Sequence, residues 1–156
     1  MIEEQKLREW VKNNKRKISY GHGKIDIIGI EVLLLSPSKV LSEGLFLKEK
    51  KVKTGRFIGV IDYIFKYRQT IYICEAKCYS LNKRQSFWNS LKVLGYTAYY
   101  NWSNNTKYEP ALLLPKKYLR LEHFIVANKL KIKIFGYTKI KEGDYLIKEL
   151  KCPKKI

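Results

Sequence analysis

Two carboxylates and an amine stand where a β-rich pattern asks for apolar side chains. Asp62 interrupts Val60-Ile61 and Tyr63-Ile64-Phe65, and Glu75 and Lys77 close the run Ile71-Tyr72-Ile73-Cys74. Side chains alternate faces along a strand, so Glu75 and Lys77 share one face while Cys74 and Ala76 take the other. An acid and a base side by side at a strand end, with a second acid on the neighbouring strand, can hold a divalent metal and activate a water.

The elements that must position these groups follow from the surrounding pattern. Residues 56–67 and 70–77 read as two strands joined by Arg68-Gln69, a link short enough for a hairpin although it lacks the Asn-Gly signal. Residues 62 and 75 average to the midpoint of that link, so an antiparallel pairing sets Asp62 opposite Glu75. Asp26 is the rival acid, because it too sits in an apolar strand after a glycine. Asp62 is preferred, since a whole further segment separates Asp26 from Glu75.

On either side, residues 2–17 read as a first helix with the stripe Leu7, Trp10, Val11, its N-terminal acids Glu3 and Glu4 suiting the positive end of the dipole. Tyr20 to Gly23 is a turn, 24–35 a strand, and Ser36-Pro37-Ser38 a break ahead of a short helical turn over 38–43. Asn82-Lys83-Arg84-Gln85 resembles a capping box and opens a helix to about Trp102, carrying Phe87, Leu91, Leu94, Ala98 and Trp102. A polar loop over 101–106, a proline-framed strand over 109–115, a helix over 118–129, a strand over 131–137 and an edge strand over 144–150 complete the chain. That order implies a single α/β domain over residues 1–156, with a mixed sheet between helices.

Composition narrows the partner. A net charge of +18, from 32 Lys+Arg against 14 Asp+Glu, makes a polyanion the natural ligand. The basic residues are spread along the chain instead of gathered in one amphipathic helix, which favours nucleic acid over a membrane surface. No apolar run reaches the roughly 18 residues needed to span a bilayer. The polar start does not look like a signal peptide, so a prokaryotic cytoplasm or a virus-infected cell is the expected setting. Three cysteines (Cys74, Cys78, Cys152) make neither a paired disulfide set nor a four-ligand cluster, and His22 and His123 lie too far apart for a His/Cys metal spacing. Lys51, Lys53 and Arg56 lead into the Asp62 strand, where they either form a solvated edge or track a phosphate backbone.

Gly59-x-x-Asp62 followed after a hairpin by Glu75-x-Lys77 resembles the PD-(D/E)XK nuclease superfamily, with its restriction-endonuclease-like three-layer sandwich. The Gly-x-x-Asp form and the helix behind it look closest to the RecB-like and Holliday-junction-resolvase-like branches. Ile61 stands where the family name has proline, and the Gln-x-x-x-Tyr of the next helix is matched by Lys92-x-x-x-Tyr96. The resemblance implies a metal-dependent DNA nuclease, with an endonuclease favoured over an exonuclease. A catalytically inactive nucleic-acid-binding module or an RNA-processing nuclease is the alternative. Asp62, Glu75 and the Ala76 carbonyl would hold Mg²⁺ or Mn²⁺, since hard cations take oxygen ligands. Lys77 would orient the attacking water, and Glu4 would add a further carboxylate from the first helix. Lys83, Arg84, Lys92 and Tyr96 would contact the DNA, duplex or branched. The need to cut two strands and the supply of aromatics lead to an expected homodimer.

Overall fold

The computed structural model describes residues 3–14, 25–36, 56–77, 83–141 and 144–152. The turn at 20–23, the helical turn at 38–43, Lys51, Lys53, His22 and Cys78 lie outside the described residues, as do the side chains of Arg56 and Lys83.

Chain order is α1 (Glu3–Asn13), β1 (Ile25–Ser36), β2 (Arg56–Tyr67), β3 (Thr70–Ala76), α2 (Lys83–Asn104), β4 (Glu109–Pro115), a 3₁₀ turn (Lys116–Tyr118), α3 (Leu121–Lys129), β5 (Lys133–Lys141) and β6 (Asp144–Leu150). The six strands form one sheet in sequential order. β1–β2, β2–β3 and β5–β6 pair antiparallel, whereas β3–β4 and β4–β5 pair parallel. The parallel pairs are those whose strands are separated by a helix, because a parallel partner needs a crossover that a tight turn cannot supply.

The sheet is mixed, as expected, and lies between helices. Leu7 and Val11 of α1 pack on Tyr63, Phe65, Cys74, Leu113 and Phe135 on one face. Val93 of α2 and Phe124 and Ala127 of α3 pack on Ile61, Ile64, Ile73, Leu112 and Ile134 on the other. α1 also reaches the far edge, where Trp10 Nε1 donates to Asp144 Oδ1 at 2.9 Å. No helix among the described residues is long and apolar enough to cross a membrane.

Several boundaries differ from the expected ones. α1 stops at Asn13, α2 runs to Asn104 into the stretch read as a loop, the third helix starts at Leu121 after a 3₁₀ turn, and β5 spans Lys133–Lys141, later than the expected 131–137. α2 departs from expectation in its rotation. Phe87, Ala98 and Trp102, on the stripe read from sequence as its apolar face, are exposed. Its buried side instead carries Ser90, Val93 and Thr97. Thr97 satisfies its hydroxyl inside the helix by donating to the Val93 carbonyl at 2.7 Å, so a polar residue sits on the sheet without an orphaned donor.

Candidate active site

The β2–β3 hairpin turns at Arg68-Gln69, with Arg68 at φ 57°, the left-handed conformation that a two-residue hairpin loop requires of a residue. Pairing runs from Tyr67↔Thr70 to Tyr63↔Cys74 and stops one residue short of Asp62 and Glu75. The register is the one the hairpin midpoint requires, and its next step is Asp62 across from Glu75. Here the strands part, because β3 continues alongside β4. The Ala76 N–H, now without a backbone acceptor on β2, donates to Asp62 Oδ2 at 2.8 Å.

A switch of faces coincides with this point. On β2, Tyr63, Phe65 and Tyr67 belong to the α1 side and Ile64 to the α2–α3 side, yet Ile61 also joins the α2–α3 side. Opposite them, Ile30 packs toward α1 while Val32 and Leu34 pack toward α2. Residue Glu31 between them takes φ 52°, a conformation that costs a non-glycine residue of order 1–3 kcal/mol. Both strands therefore rotate at Glu31 and Asp62. Arg8 of α1 ties the two together, its Nε 3.0 Å from Glu31 Oε1 and its Nη2 3.9 Å from Asp62 Oδ1.

Glu75 points to the other helical layer and is only 2% exposed. Lys92 on α2 meets it, Nζ to Oε2 at 3.3 Å, while Glu75 Oε1 is buried with no hydrogen-bond partner among the described residues. Burial, then the nearby Asp62, pushes the Glu75 carboxyl up from 4.5 to about 7, against the pull of Lys92 and Lys77. Asp62 is also raised, by burial, with the Ala76 N–H, Lys77, Arg8 and Lys92 opposing. For Lys92 burial acts downward, but Glu75, Tyr96 and Asp62 outweigh it and the ammonium is raised.

The local sequence explains how Lys92 gets there. It lies over the Tyr96 ring at 5.5 Å, one helical turn away. Tyr96 in turn is seated on Gly59, where an added Cβ would run into the Tyr96 hydroxyl. The glycine three residues before Asp62 is thus a gap in β2 that lets α2 approach and bring Lys92 onto Glu75.

Lys77 and Lys92 accordingly lie near enough to Asp62 and Glu75 to oppose the effect of burial on both carboxyls. Lys77 follows directly on β3, its N–H held by the Leu113 carbonyl at 3.0 Å. Glu4 joins Leu7, Arg8, Asp62, Tyr63 and Ala76 around a small cleft on the α1 side. Ala76 contributes its N–H to the site through Asp62. Arg84 is exposed near the start of α2, and Lys92, expected on a DNA path, lies against Glu75. The rival Asp26 is exposed at the start of β1, paired with Lys66 at the hairpin end away from Glu75. Arg8 and Glu31 were missed by sequence reasoning. Glu31 did carry a signal, as the one charge inside the apolar run 27–35. His123 is buried and its Nδ1 accepts from the Arg120 N–H at 2.9 Å, a capping role. Cys74 is fully buried on the α1 side, and burial pushes its thiol well up.

Among the described residues no three His, Cys, Asp or Glu side chains converge closely enough to hold an ion alone. A cation here would rest on Asp62 and Glu75, with its other positions left to water or phosphate oxygens. That is how Mg²⁺, which dehydrates reluctantly, is commonly held. The orphaned Glu75 Oε1 fits such a ligand, since a buried carboxylate oxygen without a donor is otherwise costly. Comparison with family models, with curated proteins and with solved structures finds no match to this chain.

Proposed function

We propose that the chain is a metal-dependent DNA nuclease of restriction-endonuclease-like architecture, hydrolysing phosphodiester bonds at Asp62, Glu75 and Lys77. The observation that carries the reading is the carboxylate pair at the parting of β2 and β3, Glu75 buried with one oxygen unpartnered and Asp62 half-buried, in a chain of net charge +18. A buried acid held beside a second, half-buried one is expensive to fold and suits a site where a cation or a proton is to be taken up.

Asp62 and Glu75 would hold Mg²⁺ or Mn²⁺. When bound, the ion supplies Lewis-acid polarisation of the phosphate and a lowered pKa for a water. Lys77 stands on the same strand end to orient that water and to offset the charge that builds on the phosphate oxygens. Arg8 and the Ala76 N–H fix the Asp62 carboxylate, and Lys92 holds Glu75 oriented. Arg84 supplies a cation for the DNA backbone at the head of α2, with Lys51, Lys53, Arg56 and Lys83 as further backbone contacts.

Lys92 also favours a second reading. An ammonium on Glu75 partly fills the place of a metal, which suits a nucleic-acid-binding module without turnover. A panel of linear, circular and four-way branched DNA with matched RNA, incubated with Mg²⁺, Mn²⁺ or Ca²⁺, separates the two. Cleavage of DNA in Mg²⁺ or Mn²⁺ supports the nuclease. Salt-sensitive binding with no product under any metal supports the binding module, and faster loss of RNA than DNA points to RNA processing.

A further inference from the structure

α2 is apolar on two opposite faces. Its inner face covers the sheet, and its outer face presents Trp88, Leu91, Gly95, Ala98 and Trp102 at alternating spacings of three and four, with Tyr99 beside Ala98. Trp88 is 57% exposed, Trp102 51%, Phe87 43% and Tyr99 36%. At ~150–250 Å² per aromatic side chain, these four rings leave on the order of 400 Å² of apolar surface on one helix. An exposed apolar patch of this size is normally covered by a partner.

Two features identify the occupant. Residues 93–104 contain no charged side chain, in a chain that carries +18 overall, so this stretch is where a second copy can approach with least repulsion. The stripe is also symmetric about Gly95. Trp88 and Trp102 stand seven residues to either side of it, and Leu91 and Tyr99 stand four. Gly95 itself is the poorest ordinary helix former, and an added Cβ there would meet nothing within 4 Å among the described residues. Packing within one copy therefore gives no reason for it, whereas two helices crossing at that point approach most closely where the residue is small.

We infer that two copies of this chain associate through α2, antiparallel across a two-fold axis at Gly95, each Trp88 packing against Trp102 of the other copy. Such a contact is isologous and closes at the dimer. The four rings make the apolar core of a patch of roughly 800 Å² per copy, with the exposed Arg84 one helical turn before Trp88 at its rim. The surface stands independently of any catalytic activity.

Sedimentation of the full chain tests it without reference to cleavage. Wild type should be dimeric at micromolar concentration, and association should strengthen with added salt as like charges are screened. Trp88→Glu and Trp102→Lys should each raise the dimer dissociation constant by at least about tenfold with unchanged circular dichroism. Mixing those two variants should restore a heterodimer, because the new acid of one copy then faces the new amine of the other. Gly95→Leu, placed where a side chain meets only solvent, should also dissociate the dimer if either tryptophan variant misfolds. A wild type that remains monomeric to about 100 μM overturns the inference. So does a dimer indifferent to these variants, or a mixture that fails to re-associate. A monomer in which Trp88→Glu weakens binding of a single-stranded oligonucleotide overturns it too, and makes the stripe a base-stacking surface.

Discussion

Glu75 is the residue on which the site's pH behaviour turns. Its carboxyl lies near about 7 because burial and Asp62 disfavour its charge. A folded-state value raised above the ordinary one stabilises the fold fully at low pH, and that contribution is lost as pH rises through the raised value. Metal-free protein should therefore lose stability between about pH 4.5 and 7 on account of Glu75. Glu75→Gln should then be the more stable form near pH 8, with the gap closing towards pH 5, as read by urea denaturation in chelator. Metal uptake runs the opposite way. It requires the carboxylate, so Mg²⁺ affinity should rise with pH through the same window, with protons released in calorimetry. At Gly59 the expected outcome is mechanical. Gly59→Ala drives a methyl into the Tyr96 hydroxyl, so it should cost about 1–3 kcal/mol in denaturation and loosen Lys92 from Glu75.

The strands that carry the site were legible because each is a short β-branched or aromatic run with a turn at a countable position. The hairpin register followed from arithmetic on Arg68-Gln69. The rotation of both strands at Glu31 and Asp62 was not legible, since it depends on a left-handed Glu31 that only tertiary packing imposes. α2 misled for a related reason. Its sequence is apolar on both faces, so periodicity did not choose the inner one, and the choice fell to Tyr96 fitting over Gly59. That fit also turned Lys92 inward, which a lysine in a lysine-rich chain does not announce. What holds the strands in place is the ring cluster at Phe135, fully buried with Phe65, Tyr67 and Tyr72 edge-on at 4.9, 5.3 and 5.5 Å. Phe135→Ala removes the ring shared by β2, β3 and β5, and should destabilise by about 3–5 kcal/mol in equilibrium unfolding.

For the whole molecule, the layered α/β frame sets Glu75 at the end of β3, where the sheet changes from antiparallel to parallel, with Arg8, Lys77 and Lys92 as the cations near the acidic pair. On the proposed reading, a chain of net charge +18 would bind DNA by releasing counterions. Affinity should fall about a thousandfold between ~50 and ~200 mM salt if about six phosphates are neutralised. Glu75→Ala should leave that slope unchanged, because a buried carboxylate takes no part in it. The same variant provides the most direct test of the nuclease reading. In Mg²⁺ and moderate salt, wild type should cut DNA, and Glu75→Ala should cut at least ~100-fold more slowly while binding as tightly. Undiminished cleavage by Glu75→Ala would contradict the account.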